Sequence, residues 1–423
     1  MLKVKKLHFL LVTMLCLLVT AFFLGGGPAA AAERQNNYPI VLVHGFSGWG
    51  RDEMLGFKYW GGFTDLQEKL ESAGYQTYTA AVGPFSSNWD RACELYAFIK
   101  GGRVDYGKAH AAKYGHARYG RTYPGLLPNW GEVDPSTGKT VKIHLIGHSM
   151  GGQTIRLLAQ LLENGDPDEI ATTPPSELSP LFNGQKKSWI HSITTISTPH
   201  DGTTLADAVN GMLPFAQQTV ALVAAASGLC ADNLVYDFKL DQWGLKRQPG
   251  ETFASYADRV WNSSIWESTH DISAWDLSPD GARELNKWVK AQPDIYYFSY
   301  GTEATFRELI TGHEIPELSM NPIFVPFALH MGAYTRNVPD RVVIDSNWWK
   351  NDGVVNTCSM SGPHIGSSDT IVNYNGQAQP GRWHYLGLLE STDHMDIVGI
   401  GTLWSPTSWY RDLASLLASL PAN

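Results

Sequence analysis

Short apolar runs alternate with helical periodicities along this chain and predict an α/β fold. The runs that suit buried parallel strands lie at 38–43, 75–82, 141–146, 192–198, 295–299, 341–344 and 385–389. Helical spacing of apolar residues marks 63–73, 87–99, the segment from about 152 onwards, and 409–420. Because strands and helices alternate in this order, we predict a predominantly parallel sheet flanked by helices.

The junction after the apolar run at 141–146 carries a candidate nucleophile. Residues 147–151 have the sequence GHSMG, and an amphipathic helix follows. A G-x-S-x-G sequence at a strand-to-helix turn is the nucleophile elbow of α/β-hydrolases, where the serine hydroxyl projects from the sheet edge. The alternative is an ordinary serine in a Gly-rich turn. Since a strand and a helix flank the motif, we expect Ser149 to be catalytic.

Backbone donors for an oxyanion are expected beside this serine. The first strand ends in His44 and Gly45, and such an ending early in an α/β-hydrolase supplies one N–H group, here that of Phe46. The second donor would be the N–H of Met150, the residue after the nucleophile.

A serine nucleophile needs a histidine base and an acid that orients it, in the chain order Ser, acid, His. Asp352 lies in a loop after a late strand, and His394 lies between the last strand and the last helix. These two are the preferred partners of Ser149. The rivals left open by sequence are Asp201, Asp271, Asp345, His364 and His384.

One apolar segment has two interpretations. Residues 208–231 contain no charged side chain, yet Asn, Gln, Gly and Pro interrupt them too often for a membrane span. They could form a buried core helix. We favour a lid of about 203–235 that covers an apolar cleft and opens at a lipid surface, because the segment leaves the sheet edge beside the nucleophile.

The N-terminus predicts export. Three lysines precede an apolar stretch at 7–24, and small residues end it at 29–32, as in a secretory signal peptide at 1–32. An uncleaved membrane anchor is the alternative. Cleavage removes three lysines and no acid, so the net charge falls from −9 to −12. The remaining acidic chain has no basic patch for nucleic acid and no stable membrane anchor.

Length alone allows two domains or one large one, and we expect a single α/β-hydrolase domain at 33–423. Hydrophobic residues make up 43% of the chain and charged residues 17%, which allows a large core. Three cysteines remain after cleavage: Cys93, Cys230 and Cys358. An odd number argues against a disulfide framework and allows one bridge at most.

Several long stretches together carry a family resemblance. They are VHGF at 43–46, FKYWGG at 57–62, SNWDRACE at 87–94, YPGLLP at 123–128, TPHDGTT at 198–204, residues 236–245 and NDG at 351–353. The chain resembles the secreted thermoalkaliphilic lipases of Gram-positive bacteria, relatives of the staphylococcal lipases, over nearly all of its mature length. The resemblance implies an α/β-hydrolase fold. By position, the family's catalytic and oxyanion residues fall on Ser149, Asp352, His394, Phe46 and Met150.

The resemblance also implies a structural zinc ion in an insertion of about 84–130. The family's ligands match Asp90, His110 and His116, and its distant aspartate falls on Asp271, where His270 could take its place. Two neutral imidazoles and two carboxylates neutralise Zn²⁺ and leave no open position for substrate. On spacing alone, the aspartate at 90 could belong to a helix-capping box, and both histidines could be surface residues.

A calcium site is implied in part. The family places an acid two residues after the catalytic histidine, which Asp396 matches, and a second acid followed by proline, where this chain has Gly401 and Thr402. The carbonyl of Ser319 lies where relatives offer a glycine carbonyl. A calcium ion here would therefore lack one charged ligand.

These patterns predict a secreted triacylglycerol lipase that acts at a lipid–water interface through an acyl-enzyme. The alternative within the same fold is a carboxylesterase for soluble short-chain esters. A non-catalytic binding protein of the hydrolase fold and a membrane-anchored adhesion protein are the alternatives from other classes.

Overall fold

The apolar runs form a seven-stranded parallel sheet at the centre of the protein. The structure is a computed structural model that describes residues 33–207, 212–226, 236–402 and 404–422. The strands are β1 (Ile40–Val43), β2 (Thr77–Ala80), β3 (Gly102–Asp105), β4 (Tyr119–Tyr123), β5 (Ile143–His148), β6 (Ile190–Ile196), β7 (Tyr296–Thr302), β8 (Thr305–Arg307), β9 (Glu314–Pro316), β10 (Ile371–Asn373) and β11 (Trp383–Leu389). The central sheet has the order β10-β11-β7-β6-β5-β1-β2, and its neighbouring strands are all parallel.

Helices lie in most of the connections between neighbouring parallel strands; the connection from β10 to β11 has none. The helices are α1 (Leu66–Ser72), α2 (Asn88–Lys100), α3 (Lys108–Tyr114), α4 (Met150–Asn164), α5 (Pro167–Thr172), α6 (Met212–Ala226), α7 (Phe253–Trp261), α8 (Ile265–Ser268), α9 (Ser273–Asp276), α10 (Pro279–Trp288), α11 (Val325–Met331) and α12 (Thr407–Ala418). Two antiparallel pairs, β3 with β4 and β8 with β9, lie outside the central sheet.

Both faces of the sheet are buried, which explains why its strands are continuous apolar runs rather than alternating ones. In β1, Ile40 and Leu42 belong to one hydrophobic cluster, while Val41 and Val43 belong to a second cluster on the opposite face. All four side chains are at most 2% exposed. β1 and β5 are parallel neighbours in the sheet. Their carboxyl ends therefore lie side by side, where a ligand site is expected in an open α/β sheet.

The predicted α/β class and parallel sheet are confirmed, but the strand predicted at 341–344 is wrong. That segment makes only an isolated bridge, between Ile344 and Arg336. Val342 and Ile344 are buried in a small cluster with Trp348, whereas Val343 is 54% exposed. The alternation therefore comes from packing against a loop, not from pairing in the sheet. The edge strand that the pattern missed is β10, which has only three residues.

Some sequence predictions fall partly or wholly outside the described residues. The predicted signal peptide at 1–32 and Cys230 lie outside them, and within the described residues Cys93 and Cys358 form no disulfide. The predicted lid at 203–235 is described only up to 207 and across α6. In the part of the chain that is described, no helix has the length and apolar character needed to cross a bilayer.

Candidate active site

Ser149 occupies a sharp turn between β5 and α4. Its φ of 56° and ψ of −132° are unfavourable for a residue with a side chain. The flanking glycines are required by close packing: a Cβ at Gly147 would lie 2.6 Å from the carbonyl carbon of Gly151. A Cβ at Gly151 would lie 2.3 Å from the carbonyl oxygen of Val43. The G-x-S-x-G pattern thus reflects how closely α4 approaches β1.

His394 and Asp352 lie together beside this turn. His394 Nδ1 is 2.8 Å from Asp352 Oδ2, and the backbone N–H of His394 donates to the Asp352 carbonyl at 3.0 Å. The other carboxylate oxygen of Asp352 accepts N–H bonds from Val354 at 3.0 Å and Val355 at 2.8 Å. Asp352 is fully buried, and His394 is 4% exposed. The carboxylate therefore holds the imidazole with a proton on Nδ1, leaving Nε2 free to accept one.

Thr302 at the end of β7 completes the surroundings of this carboxylate. Its hydroxyl lies 2.7 Å from Asp352 Oδ2 and 2.8 Å from the Ser197 hydroxyl. A carboxylate only accepts, so Thr302 donates to Asp352 and Ser197 donates to Thr302. Sequence reasoning missed Thr302, because a threonine at a strand end carries no distinctive local pattern.

The rival acids and histidines have other partners. Asp201 Oδ1 accepts the backbone N–H groups of His364 at 2.9 Å and Ile365 at 2.8 Å. Asp345 caps the turn at Asn347. His384 bonds to the backbone of Tyr297 and Gln379, and the His364 ring bonds to the Ser361 hydroxyl.

The loop after β1 leaves one backbone N–H available beside Ser149. Both backbone groups of Gly45 and both of Ser47 are hydrogen-bonded, for example Gly45 N–H to the Tyr59 hydroxyl at 3.0 Å. Within the described residues, the Phe46 N–H between them has no acceptor. Met150 is the first residue of α4, so its N–H has no carbonyl one turn earlier in the helix. Two N–H groups thus remain for an oxyanion.

Ser149 and His394 share an apolar pocket beneath α6. Its apolar lining residues are Phe46, Trp49, Phe215, Ile323, Phe324, Val354, Met395 and Ile400. On α6, Phe215 and Val220 are buried, whereas Gln217 and Gln218 are exposed. The Phe215 ring packs against Phe46 with centroids 5.9 Å apart. One face of α6 therefore covers the pocket and the other faces water.

The four side chains predicted to bind zinc form one cluster. Asp90, His110, His116 and Asp271 each offer a ligand atom, and these atoms lie within 4.8 Å of one another. His110 Nε2 and His116 Nε2 are each 3.1 Å from an oxygen of Asp271. His270 is exposed and stacks on Trp275 with centroids 3.8 Å apart, outside the cluster.

The cluster has the chemistry of a cation site. One buried atom of each side chain lacks an aligned hydrogen-bond partner among the described residues: Asp90 Oδ1, His110 Nε2, His116 Nε2 and Asp271 Oδ2. His116 Nδ1 donates to the Ala117 carbonyl at 2.9 Å, so a neutral His116 turns the lone pair of Nε2 towards a carboxylate. Burial lowers the pKa of His110, but Asp271 and Asp90 raise it to about 9. The histidine nitrogens and carboxylate oxygens of the cluster therefore turn lone pairs towards one another, and only protons or a metal ion between them can relieve the repulsion.

Asp396, the candidate calcium ligand, lies beside a second buried acid. Its Oδ2 accepts the Asp393 N–H at 3.0 Å, and burial together with the Asp393 charge raises the pKa of Asp396 to about 6. Asp393 Oδ2 accepts the N–H of Asn321 at 2.8 Å, two residues after Ser319. The sequence analysis did not single out Asp393 as an acid of this site, although it adjoins His394. At position 401, where the family resemblance implies a second acid, this chain has glycine and so offers no charged ligand.

The comparisons identify similar proteins along most of the chain. Residues 36–411 match a family described as "Lipase-like, C-terminal domain". The chain is 41% identical over 370 residues to Lipase 1 of Staphylococcus aureus (strain Mu50), covering 86% of this chain and 51% of that protein. It thus spans about half the length of the curated relatives that it matches.

Solved structures resemble the whole architecture. Lipase 1 from Pelosinus fermentans is 58% identical with a TM-score of 0.84, covering 91% of this chain and 99% of that one. EstA from Clostridium botulinum is 53% identical with a TM-score of 0.86, covering 93% and 90%. The α/β-hydrolase fold predicted from the nucleophile elbow is therefore confirmed.

Proposed function

The chain belongs to the family of lipase-like C-terminal domains, and on this basis we propose that it is a triacylglycerol lipase. The observation that carries the proposal is that His394, whose Nδ1 lies 2.8 Å from Asp352, lines one apolar pocket together with Ser149. An acyl chain fits such a lining, while the polar atoms of the ester meet the serine and the histidine.

The residues act in an acyl-enzyme sequence. Ser149 Oγ attacks the ester carbonyl while His394 Nε2 takes the serine proton, and Asp352 stabilises the imidazolium that results. The N–H groups of Phe46 and Met150 bind the oxyanion of the tetrahedral intermediate. His394 then protonates the leaving alcohol. Water attacks the acyl-serine next, while His394 takes a proton from the water and returns it to Ser149 as the acid leaves.

We propose that α6 belongs to a lid of about 203–235. Its buried face carries Phe215 and Val220, and its exposed face carries Gln217 and Gln218. Opening in water would expose the apolar face, which is unfavourable, whereas a lipid surface would accept it. Substrate at an interface would therefore reach Ser149 more readily than dissolved substrate.

Zinc is the metal that the cluster of Asp90, His110, His116 and Asp271 would hold. A zinc ion would supply structural cross-linking, since four protein ligands leave no position for water or substrate. The ligands would join the insertion at 84–130 to the loop between α8 and α9, which contains Asp271. For calcium we propose at most weak binding at Asp396, because the segment at 401–402 adds no carboxylate.

We also propose that residues 1–32 direct export and are removed. The support is the order of three lysines, an apolar stretch and an alanine run. The exported chain would meet its ester substrate at lipid surfaces outside the cell, with no nucleic-acid partner.

The proposed activity is tested with two substrates and the chain 33–423. Wild type should hydrolyse an emulsified long-chain triglyceride and a soluble butyrate ester, and Ser149→Ala should abolish both. Hydrolysis of the butyrate ester alone would indicate the carboxylesterase alternative. Activity in Ser149→Ala above a tenth of wild type would contradict the serine mechanism.

A further inference from the structure

Two buried side chains outside the proposed catalytic set connect both sides of the active site. The Tyr59 hydroxyl is 3.0 Å from the Gly45 backbone nitrogen and 2.6 Å from His148 Nδ1. On the opposite edge of the ring, His148 Nε2 lies 2.9 Å from the carbonyl oxygen of His394. Tyr59 is 4% exposed and His148 is fully buried, so water does not compete for these bonds.

The direction of each hydrogen bond follows from the chemistry at the two ends. A backbone N–H only donates, so the Tyr59 hydroxyl accepts from Gly45 and gives its own proton to His148 Nδ1. A carbonyl only accepts, so His148 Nε2 carries the proton that bonds to His394. His148 is therefore neutral with both nitrogens satisfied. Burial, with the neighbouring His394, holds the pKa of His148 well below its usual range.

The ends of this network are the groups that must be positioned around the nucleophile. Gly45 immediately precedes Phe46, whose N–H is the proposed oxyanion donor, and His394 is the proposed base. Gly45 also touches the serine, since a Cβ there would lie 2.6 Å from Ser149 Cβ. Errors of well under 1 Å in such a geometry reduce turnover, because the donors must fit the transition state.

We propose that Tyr59 and His148 are positioning residues that fix the oxyanion loop and the backbone of His394 relative to each other. The inference rests on the proposed ester hydrolysis at Ser149. His148 must also stay uncharged, because its ring lies 4.7 Å from the His394 ring, which gains a proton during turnover.

Tyr59→Phe and His148→Gln test the proposal on the soluble butyrate ester. Tyr59→Phe removes only the hydroxyl and keeps the ring contacts with Trp49 and Trp60. We expect it to lower kcat about 10-fold with KM little changed, since a misplaced oxyanion donor affects the transition state more than substrate binding. His148→Leu should lower kcat about 100-fold, and His148→Gln, whose amide can still donate to the His394 carbonyl, should recover part of that loss.

Matched controls separate positioning from packing. Tyr410→Phe removes a buried hydroxyl without a hydrogen-bond partner among the described residues, from a ring that packs on Trp60. His191→Gln changes a buried histidine whose ring nitrogens likewise lack partners there. Both controls should keep kcat within about twofold of wild type.

The outcomes are distinct. A loss of kcat in Tyr59→Phe and His148→Leu, with partial recovery in His148→Gln and unchanged controls, supports the proposal. Wild-type kcat in Tyr59→Phe and His148→Leu, with Ser149→Ala inactive, overturns it and leaves the proposed function standing. Equal losses in the controls also overturn it, since packing then explains the effect. An active Ser149→Ala would instead refute the proposed function.

Discussion

At the scale of single residues, the site depends on polar groups whose bonding is complete. Asp352 accepts bonds from two backbone N–H groups, the Thr302 hydroxyl and His394. A buried carboxylate needs such donors, because burial without them would favour its neutral form. In the proposed mechanism the neutral form could not stabilise the imidazolium of His394, so the donors of Asp352 would contribute to catalysis as well as to stability.

Thr302→Val tests this dependence with almost no change in volume. The variant removes the donor at 2.7 Å from Asp352 Oδ2, and we expect kcat/KM to fall about 10- to 150-fold, as for a lost hydrogen bond to a charged group. The control is Thr194→Val, which removes a buried hydroxyl without a partner among the described residues. Steady-state kinetics showing equal effects of the two substitutions would contradict a role for Thr302.

Asp201 gives a prediction about pH. Burial raises the pKa of Asp201 to about 7, although backbone N–H bonds partly offset the rise. Because the folded state then binds this proton more tightly than the unfolded state, ionisation reduces stability as pH rises from about 4 to 7. Asp201→Asn keeps an oxygen that can accept the backbone N–H bonds but cannot ionise. We therefore expect its melting temperature, relative to that of wild type, to rise as the pH increases from about 4 to 7. A constant difference from pH 4 to 8 in thermal melts would contradict the raised pKa.

At the scale of elements, α6 covers the pocket that Ser149 and His394 line. Its buried face contacts the pocket, and Phe215 also meets the Phe327 ring at 5.1 Å. An apolar helix packed on an apolar pocket is consistent with both a core helix and a closed lid. The two interpretations differ in what a new charge does to each substrate.

Phe215→Glu distinguishes the lid from a core helix. If α6 moves onto lipid, the charge should depress hydrolysis of emulsified triglyceride at least 10-fold more than hydrolysis of a soluble ester, since the apolar face must enter the interface. Gln217→Glu adds the same charge on the exposed face and is the control. Parallel losses on both substrates with Phe215→Glu would favour the core helix.

At the scale of the whole molecule, much of the architecture could be predicted because its signals are local. The β runs and the elbow at Ser149 lie within short windows. Asp352 and His394 are preferred because each follows a late strand, which is again a local pattern. The Tyr59 and His148 bond joins residues 89 apart, and the Thr302 and Asp352 bond joins residues 50 apart. No periodicity marks such pairs. The strand predicted at 341–344 failed for the same reason, since Val342 and Ile344 show alternation without a neighbouring strand.

The metal cluster is also a long-range feature, since it joins Asp90 to Asp271. We expect protein purified without added metal to contain about one zinc per chain, and His110→Ala to lose it and melt at a lower temperature. Ser149 should still turn over substrate at moderate temperature. His270→Ala is the control, because His270 is exposed and outside the cluster. Zinc-free wild type whose melting is unchanged by a chelator would contradict the proposed site.

The proposed function requires Ser149 to be the nucleophile of an ester hydrolase. A p-nitrophenyl phosphonate ester labels such a serine covalently, and mass spectrometry of the digested protein locates the adduct. We predict one adduct per chain on the peptide that contains Ser149, loss of hydrolysis in proportion to labelling, and at least 100-fold slower labelling of His394→Ala, since the base is removed. Labelling at another residue, or full hydrolysis by a chain labelled at Ser149, would contradict the account.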